Sequence, residues 1–149
     1  MISPTIPPTG FFLPRAAPLH DPGWGHPEHQ GRLRSVASAV GKCLPELHGR
    51  VEALESGPAS LEALVRVHPL GHLDRLEQIA ARAGTEGGQQ LVGPETPFSG
   101  ASWQAILDSS GAAIEAVERV ARGELHNAFV ATRPPGHHAS AEVAMGFCA

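Results

Sequence analysis

Apolar positions recur along this chain in two rhythms, and the rhythm assigns the elements. Leu33, Val36, Ala37 and Val40 fall three or four residues apart, the spacing that gathers side chains on one face of a helix. This predicts a helix from about Pro27 to Cys43, with Pro27 suited to the first turn. The same spacing returns in Trp103, Ile106, Leu107, Ile114, Val117, Val120 and Ala121. It predicts a helix over about Ser102 to Arg122, roughly 30 Å long, with that set as its apolar face and Gly123 as its stop. Between these two, Ser60 is placed to cap a short helix through Val67. Pro69 opens another through Arg82, with Gly84 ending it.

Short apolar runs predict strands at Phe11-Phe12-Leu13, Val51 to Leu54, and Asn127 to Thr132 (NAFVAT). The Pro-rich start, residues 1–9, reads as extended. His20 to His29 and Thr85 to Ser99 are rich in Gly and Pro and read as loops. Helices alternating with strands predict an α/β fold in three layers, a parallel sheet with helices on both faces. A parallel sheet needs cover on both sides. The few short strands here are not enough to finish one, so the domain is expected to be incomplete.

Composition narrows the function. A chain of 149 residues fits one ordinary domain. At 42% hydrophobic and 17% charged it is neither a tail nor a disordered segment. A net charge of -4 and a pI near 6.1 leave no basic footprint, which argues against nucleic acid as a partner. No apolar run approaches membrane-spanning length. Met1 to Gly10 lack the charged start and apolar core of a signal peptide. Cys43 and Cys148 form neither a disulfide framework nor a CxxC site. They read as free thiols in a reducing cytoplasm. There is no tyrosine, so a phenol that stabilises an oxyanion cannot come from these residues.

The chemistry concentrates after the last strand, in Arg133-Pro134-Pro135-Gly136-His137-His138-Ala139 and then Gly146-Phe147-Cys148. The two prolines fix φ, and Gly136 permits close backbone approach. The carboxyl ends of parallel strands are where ligands bind in such sheets. Histidine titrates near neutral pH and suits proton transfer. Two together divide that work, one taking a proton while the other stays charged. A surface or packing pair would carry the same spacing.

The run Gly123 to Phe129 leading into RPPGHHA, with GFC following, resembles the signature of the histone deacetylase and acetoin-utilisation family of metal-dependent amidohydrolases, particularly class II-like members. His26 to Val36 (HPEHQGRLRSV) is similar to the family's early HPE…RLR segment, and Pro94-Glu95-Thr96-Pro97 also matches. The resemblance covers about Phe11 to Cys148. It implies an arginase-deacetylase fold and a Zn2+ that polarises an acyl carbonyl and activates water. It implies that the substrate is acetylated lysine or a related small acetylated amine. It assigns His138 as general base and then acid, and His137 as its charged neighbour. Phe147 would wall the acyl-lysine tube, and the carbonyl of Gly146 would accept the substrate amide N–H. Arg32 matches an arginine lining an internal cavity, and Glu95 a rim acid that grips substrate backbone. Each has a plainer rival: Phe147 as core, Arg32 as an ion-pair residue, Glu95 as a turn cap. Trp24 and Trp103 read as packing residues.

The family's metal ligands, one histidine and two aspartates, follow the GFC segment, so no catalytic metal ligand is assigned within these residues. The expectation is the N-terminal part of a single catalytic domain over 1–149, whose partner is the missing C-terminal part. This chain alone is expected to be inactive. The alternative is a truncated, non-catalytic acyl-lysine-binding or regulatory remnant. The ureohydrolase branch of the fold would need aspartate-rich motifs not seen here. His20, His26 and His29 share one loop and could hold a structural zinc; the favoured reading is a plain loop.

Overall fold

Phe11 and Phe12 point to opposite faces of a parallel sheet, and that division organises the chain. A computed structural model describes residues 6–149. In chain order the elements are β1 (Thr9–Phe12), a 3-10 turn (Ala17–Leu19), α1 (Gly31–Cys43), β2 (Val51–Leu54) and α2 (Leu61–Leu64). There follow α3 (Leu70–Glu86), β3 (Gln90–Gly93), β4 (Thr96–Phe98), α4 (Ser102–Ala121) and β5 (Asn127–Val130). The extended start expected over residues 1–9 lies partly outside the described residues; 6–8 carry no regular structure.

β1 is the central strand of a sheet ordered β2-β1-β5, parallel throughout. Successive strand side chains face opposite ways. Phe11 joins Ala17, Leu33 and Ala131 on the α1 side. Phe12 joins Ala112, Ala116 and Leu125 on the α4 side. Helices therefore cover both faces, the three-layer α/β arrangement expected from the sequence. Among the described residues the outer edges of β2 and β5 pair with nothing. Phe129 on β5 stacks on Phe11 at 6.0 Å yet stays 56% exposed. No described helix is long and apolar enough to cross a membrane.

Several elements differ from expectation, each for a local reason. α1 begins at Gly31 rather than Pro27. The imidazole Nδ1 atoms of His26 and His29 accept the backbone N–H groups of Glu28 and Gly31, which holds 26–30 in turns. Ser60 does cap α2, accepting from Ala63 N–H at 3.2 Å. α3 does not stop at Gly84. That glycine faces Gly100, where a Cβ would lie 2.7 Å from the Gly84 Cα, so it serves close approach. The helix ends at Gly87, φ 75. The segment read as a loop from Thr85 to Ser99 contains the β3–β4 hairpin. It is held by tertiary burial: Val92 and Phe98 pack with Leu76, Ile79, Ala80, Ile106 and Ala144.

The α4 face holds as expected at Trp103, Ile106 and Leu107, which pack in the core, but not at Ile114, Val117 and Val120, which are exposed. Ser102, Ala105, Ile106, Ser109, Ala112 and Ala116 are buried, whereas Val117 is 69% exposed. Small side chains let α4 lie close to its neighbours; a Cβ at Gly111 would sit 2.1 Å from the Gly57 carbonyl oxygen.

Candidate active site

The chain leaves β5 through Ala131 and Thr132 and is caught at once by α4. The Ser109 hydroxyl donates to the Arg133 carbonyl at 2.8 Å and accepts from the Arg133 N–H at 3.2 Å. The Arg133 side chain is 3% exposed. It donates to the His20 carbonyl at 3.1 Å and to the Glu28 carbonyl. Its Nε lies 3.6 Å from a Glu28 carboxylate oxygen without a hydrogen bond. Burial, then the charge of Arg32, lowers its pKa from the ordinary value. Arg133 thus ties the early His-rich loop to the end of β5.

His20 completes that tie. Its Nδ1 is 2.8 Å from the Ser102 hydroxyl, which also accepts from the Ser99 N–H at 2.8 Å. Burial, followed by the nearby Arg133 charge, pushes His20 down to about 4. The ring is neutral at neutral pH.

The histidine pair lies beyond the Pro-Pro turn. The His137 and His138 rings are 4.2 Å apart between centroids, tilted by 49°, and both residues are exposed. His137 opens onto a groove of about 680 Å³ shared with Arg32, Glu28, Arg133 and Phe129. Its Nδ1 is 4.0 Å from the Cys148 Sγ. His138 packs on Gly146, where a Cβ would meet the ring at 3.3 Å.

Met145 to Cys148 is a tight turn with hydrogen bonds of 3.0 Å in both directions between its ends. Its central residues, Gly146 and Phe147, have φ of 59 and 70, the left-handed pair of a type I′ turn. Glycine adopts this freely, but for a bulky residue it is strained. Such strain persists where surroundings impose it, often at functional sites. Here His26 lies edge-on to the Phe147 ring at 4.5 Å, and Cys148 is fully buried. The hairpin supports the same segment from below, because a Cβ on Gly93 would lie 2.1 Å from the Ala144 carbonyl oxygen.

The structure therefore gathers His137, His138, Gly146 and Phe147. Glu95 is exposed in the β3–β4 turn with φ 55, and its carbonyl is 3.4 Å from His26 Nε2. Arg32 is ion-paired with Glu28 and faces an open groove rather than an enclosed cavity. Trp103 packs against the core, but Trp24 is 67% exposed and rests on His29. Sequence reasoning missed Ser109, Ser102 and Arg133 as the residues that seat the site. Their only signal is small polar residues at helical steps on α4, and the arginine opening RPPGHHA.

The three histidines of the early loop go to three neighbours: Ser102, Phe147 and Trp24. Among the described residues no three His, Cys, Asp or Glu side chains converge as a metal site. These residues alone do not fit the Zn2+ that the resemblance implies.

The profile of the histone deacetylase domain matches residues 26–149. A histone deacetylase-like amidohydrolase of Pseudomonas aeruginosa is 36% identical over 144 residues, covering 97% of this chain and 34% of that protein. Histone deacetylase 9 of Homo sapiens is 35% identical, covering 83% of this chain and 14% of its own. The crystal structure of the HDA15 HD domain superposes with a TM-score of 0.83 at 25% identity, covering 95% of this chain and 40% of that one. The chain thus spans about a third of the length of the first of these relatives. With the strand order, the paired imidazoles and the Gly-Phe turn, these likenesses establish that the chain belongs to the histone deacetylase domain family.

Proposed function

We propose that this chain supplies the proton-transfer half of a zinc-dependent deacetylase that hydrolyses an acetyl-amide on lysine or a small acetylated amine. The observation that carries the reading is the contact of two imidazoles at 4.2 Å beside the strained Phe147 turn and the groove under His137. Imidazoles that close can act on one reacting centre together. One can serve as general base and acid while the other supports it, the division general acid–base catalysis needs. His138, seated on Gly146, is the base toward water and then the acid toward the leaving amine. His137 is its charged neighbour. Phe147 walls the acyl chain, the Gly146 carbonyl receives the substrate amide N–H, and Glu95 grips substrate backbone at the rim.

The Lewis acid of such a deacetylase would be Zn2+. Among the described residues no ligand set for it converges, and β5 pairs on one side only. The free state of Cys43 and Cys148 supports a cytoplasmic placement within the proposal.

Two tests separate this enzyme from a non-catalytic acyl-lysine-binding remnant. Downstream coding sequence should contain an Asp-x-His ligand motif. The protein carrying it should deacetylate an acetyl-lysine reporter, lose activity on chelation and regain it with Zn2+. An in-frame stop without the motif, or reporter binding that ignores chelators, favours the remnant.

A further inference from the structure

His68 and His72 lie outside the site just described, and nothing in the proposed chemistry uses them. His68 lies in the α2–α3 connection, just before the Pro69 N-cap, and His72 sits in the first turn of α3. Their rings stack with centroids 5.6 Å apart. Both meet the segment that joins the histidine pair to the Gly-Phe turn. The His68 Nδ1–H donates to the Ala141 carbonyl at 2.8 Å. His72 is 7% exposed, and neither ring nitrogen has a hydrogen-bond partner. The backbone and carboxylate of Glu142 neighbour it across the chain.

The facing segment is held at few points. Ala144 is buried in the hairpin core. Ser140 closes a small turn, its N–H donating to the Val143 carbonyl at 3.0 Å and its hydroxyl accepting from the Val143 N–H at 3.1 Å. Ala141, Glu142 and Val143 are otherwise exposed. The His68 bond is thus the cross-chain polar tie at the middle of the segment.

We infer that His68 and His72 form an acid-released latch that positions the Ala139–Met145 segment, and with it the His137–His138 pair and the Phe147 turn. His68 is the fastening residue and His72 the trigger. While the segment is closed, a proton on His72 is opposed by burial, then by the charges of His68 and Arg75; Glu142 opposes that effect without reversing it. Once the segment lifts, water can reach His72, and it takes a proton as an ordinary imidazole does. Acid therefore pulls the equilibrium toward the open form, by up to about tenfold per pH unit below the ordinary histidine range. The consequence for catalysis rests on the reading of the histidine pair given above. The latch itself does not.

The test is amide hydrogen exchange, corrected for intrinsic rates, at pH values of about 7.5 and 5.5. Protection of the Ser140, Val143 and Met145 amides should fall by about fivefold on acidification while α4 amides hold. His72→Leu should abolish that fall. His68→Leu should lower protection at both pH values, and His68→Asn, which keeps a donor at the Nδ1 position, should restore it. No fall in the unaltered protein, or an equal fall in His72→Leu, overturns the latch. If His72→Leu does not fold, an NMR titration of His72 decides: a midpoint tracking the loss of protection supports the latch, and an unrelated midpoint overturns it. These readouts follow amides rather than turnover, so their failure would leave the deacetylase reading standing, and the reverse also holds.

Discussion

Phe147 meets His26 edge to face, ring centroids 4.5 Å apart and planes at 79°, so the loop before α1 braces the turn after the histidine pair. That brace holds a phenylalanine at φ 70. Removing the ring removes the reason for the strain. Phe147→Gly should therefore be more stable than Phe147→Ala, by about 1 kcal/mol, because glycine carries no left-handed penalty. Urea midpoints of the two variants check this. Equal midpoints would show that the turn relaxes once the ring is gone.

His20 should make the fold acid-sensitive. Its folded pKa of about 4 lies below the unbound value of 6.5, so between the two the unfolded chain binds the proton and the folded chain does not. The stabilisation is whole above the unfolded value, drains as pH falls, and is gone below the folded one. By a pH of about 5 the loss should be about 2 kcal/mol. His20→Asn keeps a polar group near Ser102 but cannot titrate, and should remove this part of the slope in denaturation curves taken across the range.

Ser109 satisfies both the N–H and the C=O of Arg133 while only 6% exposed. Ser109→Ala leaves two buried backbone groups unpaired. It should destabilise by about 2 kcal/mol and loosen the start of the Pro-Pro turn. Thermal denaturation reads the first effect, and hydrogen exchange at Arg133 the second.

One substitution type should act with opposite signs at two glycines. Gly93→Ala puts a Cβ 2.1 Å from the Ala144 carbonyl oxygen. It should cost about 1–3 kcal/mol and shift the segment that carries the histidine pair. Gly41→Ala on α1 meets nothing within 4 Å and should stabilise by about 0.5–1 kcal/mol through helix propensity. Chemical denaturation of both variants checks the contrast.

The three strands of the parallel sheet and the adjacent histidines were legible in the sequence because their signals are local. Phe11-Phe12, Val51 to Leu54 and the NAFV run each announce a strand, and RPPGHHA with GFC marks the candidate site. What stayed hidden depends on distant contacts. The β3–β4 hairpin holds through Val92 and Phe98 packing on α3 and α4, which its own Gly- and Pro-rich composition does not reveal. Gly84 reads as a stop until Gly100 is seen against it. The second half of the α4 face differs because hydrophobicity marks Val117, whereas close packing chooses Ala112 and Ala116. Serines 102 and 109 look like breaks in an apolar pattern, yet they are the hydroxyls that seat His20 and Arg133.

The most direct test of the central claim is kcat/KM on an acetyl-lysine reporter for the zinc-loaded protein that carries this chain, compared with its His138→Ala variant. If the paired imidazoles move the proton, the variant should fold, retain zinc and lose about 10²–10⁴-fold in kcat/KM. A folded, zinc-loaded variant within about twofold of the parent would contradict the account, since general acid–base catalysis contributes far more than that.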